Sequence, residues 1–472
     1  MKLYFYGFIM VIKKFILRKN TGDCILSFVE KMGVVYIKFA QMLAMQNVGN
    51  LFTEKDRIKL SKICDHCNPV PFKKIKKQIE KEYGCPLSKK FKKVFEEPVG
   101  SASISQVHKA ILKNGDVVAI KIKRKDVTKR IEKDIKQMRR MVHRFGRIFK
   151  FKNYLAGDLA LDLYLEWIQE ETDFELEKNN ILEYYHFAKS VNGSIPGAKK
   201  IVVPRVYKKM CTENIIVMEF IFSKTINQMK LTPQNKELIR NSLNDYVMLS
   251  FYALFHDMPV TFHGDPHGGN IYIDKNGNIG FLDMGLIFTF NKEEVEFIRR
   301  LFLDAYTCNI DELTHLLVDG SNQKDVDICT LKQEFTTCCE KFKNVSVPEF
   351  FMSMIFVYTR HNLEPDPIFY KMAKAFVALF GMNTFSENIK TTEELLIKQI
   401  IEFYVTRTMT DIKEIADAGI TFLPNFIKNT FTKGLTKSIS EQVVAINKIS
   451  KKMKTTLHHA DEMVGLLQKQ KL

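Results

Sequence analysis

The chain of 472 residues has an ordinary globular composition, with 46% hydrophobic and 26% charged residues. Its 22 glycines and 13 prolines are too few for long linkers or low-complexity tracts. A formal net charge of +17 indicates phosphate-bearing partners. Because no zinc-finger spacing, RNP-like segment or basic region leading into heptads is present, we exclude nucleic acid and favour an anionic membrane surface.

The N-terminal apolar stretch, residues 3–12, is shorter than the about 20 residues that a transmembrane helix needs. It also lacks the leading charges and the cleavage site of a secretory signal, so we expect an interfacial or core-packing helix. Among the nine cysteines, Cys64 and Cys67 have zinc-like spacing but no second pair at a workable distance. We therefore expect reduced cysteines in an intracellular protein, cytoplasmic or peripheral to a membrane, with no transmembrane segment.

The predicted elements begin with helix over residues 1–93, where apolar side chains recur every three or four positions. Two short strands follow at 104–111 and 117–122, joined by the turn sequence Lys113-Asn114-Gly115-Asp116. The later predicted elements are a long helical stretch over 126–190, β-rich pieces at 200–207 and 214–220, helices from 232 onward, and a strand pair within 270–286.

This order, a small β-containing lobe before a larger helical lobe, predicts the α+β class and a two-lobed protein-kinase-like fold. We expect a helical N-terminal extension and a helix-rich C-lobe around it. The predicted division is an N-terminal extension over 1–93, an N-lobe over 94–220, a C-lobe over 221–390 and a basic, helical C-terminal extension over 391–472.

The strongest chemical signal is the sequence HGDPHGGN at residues 263–270, followed by Asp283-Met284-Gly285 at the end of an apolar strand. Phosphoryl transfer and ATP hydrolysis need a carboxylate near the attacking oxygen and oxygen ligands for magnesium. We predict Asp265 as the catalytic carboxylate, and Asn270 and Asp283 as ligands of Mg²⁺. Either segment alone is more typical of a simple turn, but both at this spacing favour the functional interpretation.

Upstream, Lys121 lies in the apolar strand sequence VAIKIK and is predicted to contact the α- and β-phosphates of ATP. A buried ammonium needs a counter-ion, for which we predict Glu177. We also predict nucleotide contacts for four small residues that permit close backbone approach, namely Gly100, Ser101, Ala102 and Ser103. Two more contacts are predicted at the end of a hinge-like strand, from Glu219 and Phe220. For the hinge-like strand, an ordinary core strand is the alternative.

Residues 97–108, EPVGSASISQVH, resemble the alanine-rich loop that replaces the glycine loop in the UbiB/ADCK family of atypical kinases. Glu171 and Asp173, six and four residues before Glu177, resemble the ExD motif of that family. Lys38 and Gln41 resemble its KxGQ motif, with Ala40 in place of glycine. The resemblance covers roughly residues 30–290. It implies that these motifs meet over the active site and block the groove in which ordinary kinases hold protein substrates.

The resemblance further implies an ATP- and magnesium-dependent ATPase that supports ubiquinone or prenyl-lipid metabolism at a membrane surface. Its expected partners are an anionic or prenyl lipid, and a biosynthetic-complex protein or a second copy of the chain. Three alternatives stay open: a small-molecule phosphotransferase of the aminoglycoside or choline kinase type, a non-catalytic ATP-binding scaffold, and a true protein kinase. Small-molecule kinases share the pattern of residues 263–270 but lack the two upstream motifs, whereas Gly100 and Ala40 leave protein kinase activity open.

Overall fold

A computed structural model describes residues 27–29, 31–38, 68–149, 158–307, 309–318, 327–342, 347–361, 363 and 365–382. The predictions for the apolar stretch 3–12, for Cys64 and Cys67, for Ala40 and Gln41, and for the C-terminal extension lie outside these residues. No helix of the described part is long and apolar enough to cross a membrane.

The N-lobe is built on a four-stranded antiparallel sheet with the strand order β1-β2-β3-β5. Its elements are α1 (Phe72–Tyr83), α2 (Leu87–Lys90), β1 (Phe91–Ser101), β2 (Ser105–Leu112), β3 (Val117–Lys123) and β5 (Ile215–Glu219). The predicted hairpin is confirmed, but β1 is a strand that the sequence pattern missed. It starts inside the range predicted to be helical.

Successive side chains of β3 point to opposite faces of the sheet, so the strand contributes residues to two different hydrophobic cores. Val118, Ile120 and Ile122 pack with the N-lobe core, which includes Ile75 of α1. Ala119 points to the opposite face and joins the main core of the protein. Lys121 lies on the same face as Ala119, so the strand directs its ammonium group toward the cleft between the lobes.

The basic run of α1 is a solvent-exposed helix face. Ile75 and Ile79, one turn apart, are buried, whereas Lys73, Lys74 and their basic neighbours are exposed. The helix ends at Gly84, whose φ of 63° is left-handed and favours glycine. The lysines therefore leave a positively charged surface on the outside of the N-lobe.

Three helices occupy the region that the sequence pattern assigned to one long helical stretch: α3 (Val127–Phe149), α4 (Asp158–Glu170) and α5 (Phe174–Val191). The break between α4 and α5 has a local cause. Asp173 caps α5, because its side chain accepts hydrogen bonds from the backbone N–H groups of Glu175 and Leu176. The prediction of continuous helix through Asp173 was therefore wrong.

The C-lobe combines short strands with helices. Its strands are β4 (Ile201–Val202), β6 (Val260–His263), β7 (Ile271–Ile273), β8 (Ile279–Phe281) and β9 (Ile287–Phe290). Its helices are α6 (Pro233–Phe255), α7 (Lys292–Thr307), α8 (Ile310–Val318), α9 (Ile328–Phe342), α10 (Val347–Arg360) and α11 (Pro367–Gly381). The predicted strand pair within 270–286 is confirmed as β7 and β8, while the pairing of β6 with β9 was not predicted. Of the piece 200–207, only β4 forms a strand, parallel to β8.

Aromatic packing in the C-lobe fixes α11 against the strand that leads to residues 263–270. The ring of Phe376 lies 5.2 Å from that of Phe262 on β6 and 4.9 Å from that of Phe302 on α7. All three side chains are fully buried. The position of α11 relative to the end of β6 is therefore set by the core of the lobe.

Candidate active site

Lys121 lies between two carboxylates in the cleft. Its Nζ is 2.5 Å from Oε1 of Glu177 and 3.0 Å from Oδ2 of Asp283. The Lys121 and Glu177 side chains are 5% and 1% exposed. The three residues come from β3, from α5 and from the segment after β8, so folding brings together the lysine, the helix glutamate and the metal aspartate that the sequence predicted.

Burial and charge act in opposite directions on these three groups. Burial by itself lowers the pKa of Lys121, but the carboxylates of Asp283 and Glu177 outweigh it and raise that pKa above its ordinary value. Desolvation raises the pKa of Glu177 to about 7, although the Lys121 ammonium favours its charged form. Desolvation also opposes the charge of Asp283, yet Lys121 and the N–H of Gly285 hold its pKa well below the usual range. Asp283 is thus a stable carboxylate.

The predicted catalytic loop, residues 263–270, is anchored to the backbone of Asp283 through His263. Nε2 of His263 donates to the Asp283 carbonyl oxygen at 2.7 Å, and Nδ1 accepts from the N–H of Asp265 at 3.1 Å. These contacts assign the proton to Nε2 of a neutral ring, and burial lowers the His263 pKa accordingly. His263 therefore links Asp265, the predicted catalytic carboxylate, to Asp283, a predicted metal ligand.

Asn270 is oriented by a hydrogen bond within the same loop. Its Nδ2 donates to the backbone oxygen of Asp265 at 2.8 Å. Its Oδ1 is buried and has no hydrogen-bond partner among the residues that the structure describes. The backbone oxygen of Asn270 accepts from the N–H of Leu282 at 2.8 Å, which places Asn270 next to the segment that carries Asp283. An oriented amide oxygen of this kind is suited to a hard cation such as Mg²⁺. Asn270 and Asp283 therefore fit the magnesium site that the sequence predicted.

Lys38 forms a second ionic cluster beside Asp265. It makes an ion pair with Glu171, and its Nζ lies 3.7 Å from Oδ2 of Asp265. Burial by itself raises the pKa of Asp265. The positive charge of Lys38 and of other nearby groups outweighs this effect and lowers that pKa below its ordinary value. Burial raises the pKa of Glu171, which Lys38 partly offsets. The structure thus brings Lys38, Glu171 and Asp265 together.

Two other predicted residues have a different status. Asp173 is exposed and serves as the N-cap of α5, the helix that carries Glu177. A catalytic role for Asp173 itself stays a prediction, and its observed role is to start that helix. Gln41 lies outside the described residues.

The loop predicted to cover the phosphates, Gly100 to Ser103, consists of the last two residues of β1 and the first two of the turn to β2, and Arg124 holds it in place. Nε of Arg124 donates to the Ala102 carbonyl at 2.8 Å, and Nη2 donates to Ser101 Oγ at 2.8 Å and to the Asn68 carbonyl at 3.1 Å. Sequence patterns gave no signal for Arg124, since its partners are mostly backbone oxygens.

Gln106 makes a second connection between this loop region and the chain before α1. Its Oε1 accepts from the N–H of Val70 at 2.7 Å, and its Nε2 donates to the Val70 carbonyl at 3.0 Å. Gln106 is fully buried on β2, immediately after the loop. Residues 68–70 are therefore joined to the phosphate loop through both Arg124 and Gln106.

At the hinge-like end of β5, both predicted residues already use their N–H groups. Glu219 donates to the Arg205 carbonyl at 2.8 Å, and Phe220 donates to the Val117 carbonyl at 3.1 Å. Any contact of these residues with adenine must come from their other atoms. The ring of Phe222, which is 74% exposed, lies 5.0 Å from that of Phe220, and the Lys109 ammonium lies 4.9 Å from both ring centres.

Comparison with known sequences identifies a matching domain and several relatives. The ABC1 atypical kinase-like domain matches residues 62–317. A probable protein kinase UbiB from Sodalis glossinidius is 26% identical over 375 residues, which cover 77% of this chain and 67% of the relative. A probable protein kinase UbiB from Histophilus somni is 24% identical, with coverage of 77% and 68%. An uncharacterised Synechocystis protein is 24% identical, with coverage of 72% and 83%.

Among solved structures, one neighbour is titled as the complex of Rv3197 with erythromycin from Mycobacterium tuberculosis. It is 22% identical in sequence, and its TM-score is 0.41. The match covers 71% of this chain and 78% of that chain.

Proposed function

Because the chain belongs to the ABC1 atypical kinase-like family, we propose that it binds ATP with Mg²⁺ and hydrolyses the nucleotide in the cleft between its lobes. The observation that carries this proposal is the placement of Lys121 within 2.5 Å of Glu177 and 3.0 Å of Asp283. The two carboxylates keep this almost completely buried ammonium charged and fix its position, as a lysine that contacts nucleotide phosphates requires.

Each residue has a distinct proposed role. Lys121 contacts the α- and β-phosphates, and Glu177 holds it in place. Asp265 orients the attacking water, while Asn270 and Asp283 hold the magnesium ion. When bound, the ion neutralises charge on the phosphate oxygens. The backbone of the loop from Gly100 to Ser103 covers the phosphates from the N-lobe side.

The ion pair of Lys38 with Glu171 supports hydrolysis over protein phosphorylation. The Lys38 ammonium lies 3.7 Å from the Asp265 carboxylate, on a group that a hydroxyl of a protein acceptor has to approach. A water molecule needs much less space than an acceptor side chain. We therefore propose that water is the acceptor and that transfer to a protein is disfavoured.

The finer part of the proposal concerns lipids. We propose that turnover supports ubiquinone or other prenyl-lipid metabolism at an anionic membrane surface, with a biosynthetic-complex protein or a second copy of the chain as a further partner. The net charge of +17, the exposed lysine face of α1 and the probable UbiB kinases among the relatives support it. The division into extension, N-lobe, C-lobe and C-terminal extension, at 1–93, 94–220, 221–390 and 391–472, is part of the same proposal.

The test is magnesium-dependent ATP hydrolysis with and without anionic liposomes, compared between the wild type and Asp283→Asn. A matched control is Asp257→Asn, since the Asp257 side chain is 99% exposed and pairs with Arg299 of α7, which is not one of the predicted site residues. We expect liposomes to raise the rate, Asp283→Asn to lower it by about 100-fold or more, and Asp257→Asn to leave it unchanged.

Other outcomes point elsewhere. Nucleotide binding in a thermal-shift assay without hydrolysis under any lipid condition would support the scaffold. A phosphorylated small alcohol or aminoglycoside would support a small-molecule kinase. Hydrolysis that is the same in Asp283→Asn as in the wild type would contradict the assignment of the site.

A further inference from the structure

His108 on β2 is a fully buried histidine that connects β1 to the segment before α1. Its Nδ1 lies 2.9 Å from the Phe95 carbonyl oxygen on β1, and its Nε2 lies 2.9 Å from Nε2 of Gln106. The Gln106 amide makes both of its bonds to the backbone of Val70. The imidazole ring therefore lies between the irregular part of β1 and the side chain that holds residues 68–70.

The backbone of Val70 determines which nitrogen of His108 carries the proton. The Val70 N–H needs an acceptor and the Val70 carbonyl needs a donor, so the Gln106 amide has one orientation, with Oε1 at the N–H and Nε2 at the carbonyl. Because the second N–H of that Nε2 meets His108, Nε2 of His108 must accept. Nδ1 consequently carries the proton and donates to Phe95. Each donor of this network has an acceptor while His108 is neutral.

The bond to Phe95 stabilises β1 at the point where its pairing with β2 is irregular. The register of the two strands shifts between Val94 and Pro98, and Phe95 lies inside this interval. The same strand ends at Ser101, within the predicted phosphate loop. His108 therefore supports the irregular part of the strand that ends in the loop.

A second proton on the His108 ring is incompatible with this network. The protonated ring carries an N–H on both nitrogens, so its Nε2 would face the Nε2 donor of Gln106 with no acceptor between them. The Gln106 amide could accept the new proton only by turning over. A turned amide would present its NH₂ group to the Val70 N–H and its oxygen to the Val70 carbonyl. One proton on His108 would thus cost both bonds that hold Val70.

The surroundings of His108 favour the neutral ring. Burial lowers its pKa, and the ring of Phe72 on α1 lies 5.4 Å from its centre. On the β3 side, Lys121 and Arg124 bond to the cleft carboxylates and to the phosphate loop. The other charged side chains that α1 and β1 carry near these contacts are exposed, namely Lys73, Lys76, Lys93, Glu96 and Glu97. Within the described part of the chain, no charged side chain pairs with His108, so a proton on the ring would have no counter-ion there.

We propose that His108 is a positioning residue for the phosphate loop, which it holds through Gln106 in its neutral form and releases when it is protonated. This inference rests on the proposed function, since its effect on nucleotide requires that ATP binds in the cleft. Arg124 makes the other connection between residues 68–70 and the loop. Loss of the Gln106 bonds therefore leaves the loop and this segment joined through Arg124 alone, and the affinity for nucleotide falls.

The direction of the pH effect follows from the neutral state of the ring. The unfolded chain binds a proton at the ordinary histidine pKa, whereas the folded protein binds it only at lower pH. The contribution of His108 to the ordered loop is therefore complete above the ordinary pKa and is lost as the pH falls through the lowered pKa. Loss of two hydrogen bonds should weaken nucleotide binding about tenfold.

The experiment measures the affinity for a non-hydrolysable ATP analogue with an imido bridge, by calorimetry with Mg²⁺ at pH 7.5 and at pH 5. His108→Gln supplies an amide that has a donor and an acceptor and does not titrate. His186→Gln, on the exposed face of α5, is the matched control. From pH 7.5 to pH 5, the affinities of the wild type and of His186→Gln should fall about tenfold more than that of His108→Gln. Equal pH dependence in all three proteins overturns the role of His108.

A second comparison tests whether His108 acts through Gln106. His108→Phe leaves Nε2 of Gln106 without its acceptor and should weaken binding of the analogue about fivefold at pH 7.5, an effect that His108→Gln should largely avoid. Gln106→Met should weaken binding by at least as much. The double variant should bind no more weakly than Gln106→Met alone, because the two residues act in series. Additive losses would show that His108 acts independently of Gln106.

Hydrogen exchange at the Val70 amide separates this inference from the proposed function. At pH 7.5 and without nucleotide, this amide should exchange faster in His108→Phe than in the wild type and in His108→Gln. If the wild type binds no nucleotide, the proposed function fails, whereas faster exchange in His108→Phe still supports the connection from His108 to Val70. Unchanged exchange overturns that connection. If His108→Phe does not fold, the pH dependence of His108→Gln decides the role of His108.

Discussion

Lys121 and Glu177 are 56 positions apart in the chain, yet their side chains meet at 2.5 Å in the interior. The contact joins β3 of the N-lobe sheet to α5. Because Glu177 Oε1 also accepts from the N–H of Met284 at 3.3 Å, the same carboxylate reaches the segment that carries Asp283. One buried glutamate therefore sets the relative positions of the nucleotide lysine and the metal aspartate.

Removing the lysine of this pair should make stability strongly dependent on pH. In Lys121→Met, Glu177 stays buried without its counter-ion, so its pKa should rise beyond the value of about 7 that it has in the intact pair. The folded protein then holds a proton that the unfolded chain releases, and unfolding becomes easier as the pH rises. We expect a loss of about 3 kcal/mol in the free energy of unfolding at pH 8 and a smaller loss at pH 6.

Urea denaturation of the variant at the two pH values measures this effect. The double variant Lys121→Met with Glu177→Gln is the control, because it removes the titrating carboxylate and should recover much of the stability at pH 8. Equal losses at pH 6 and pH 8 in the single variant would show that Glu177 is not the titrating group.

Arg124 should control nucleotide affinity through the loop that it holds. Its guanidinium contacts Ala102, Ser101 and Asn68 from one planar group, a geometry that a lysine cannot reproduce. We expect Arg124→Lys to lower the affinity for ATP with Mg²⁺ by about tenfold, while the thermal midpoint changes little.

Arg139→Lys is the control for Arg124→Lys, since Arg139 makes an exposed ion pair with Asp162 away from the loop. Calorimetric titration with ATP measures both variants. Unchanged affinity in Arg124→Lys would mean that the loop keeps its conformation without the guanidinium.

Asn270 should determine how much magnesium the protein needs. Asn270→Ala removes the buried Oδ1 that has no partner within the described residues. The Mg²⁺ concentration that half-saturates nucleotide binding should therefore rise about tenfold or more. Titration of nucleotide binding with Mg²⁺ measures the change, and Asn276→Ala in the exposed turn after β7 should behave like the wild type. If the two variants need the same Mg²⁺ concentration for half-saturation, Asn270 is not a ligand of the metal.

Gly280 should not tolerate a side chain. A Cβ atom at this position would lie 2.4 Å from the Val202 carbonyl oxygen and equally close to the ring of Tyr272. Gly280→Ala should therefore lower the free energy of unfolding by about 1–3 kcal/mol. At Gly100, where no described atom lies within 4 Å of the added Cβ, alanine should leave stability unchanged. Chemical denaturation of both variants decides the question, and equal stabilities would contradict the crowding at β8.

The sequence predicted those parts of the fold and site that leave a local signature. The structure brings Lys121 together with its predicted partner Glu177, and it joins the segment from His263 to Asn270 to Asp283 through His263, because short motifs encode this local geometry. β1 was missed because its sequence FKKVFEEPVGS is rich in charges and largely exposed along much of its length. The break before α5 was missed because a single capping side chain, Asp173, outweighs the helical periodicity on both sides.

The bonds that tie residues 68–70 to the phosphate loop through Gln106 and Arg124 have a thermodynamic consequence. Any partner that displaces this segment must also displace the loop, and so it must change the affinity for nucleotide. Linkage then requires the reverse: nucleotide changes the affinity for that partner by the same factor. A partner that binds residues 68–70, outside the cleft, would thus have an affinity that depends on whether nucleotide is bound in the cleft.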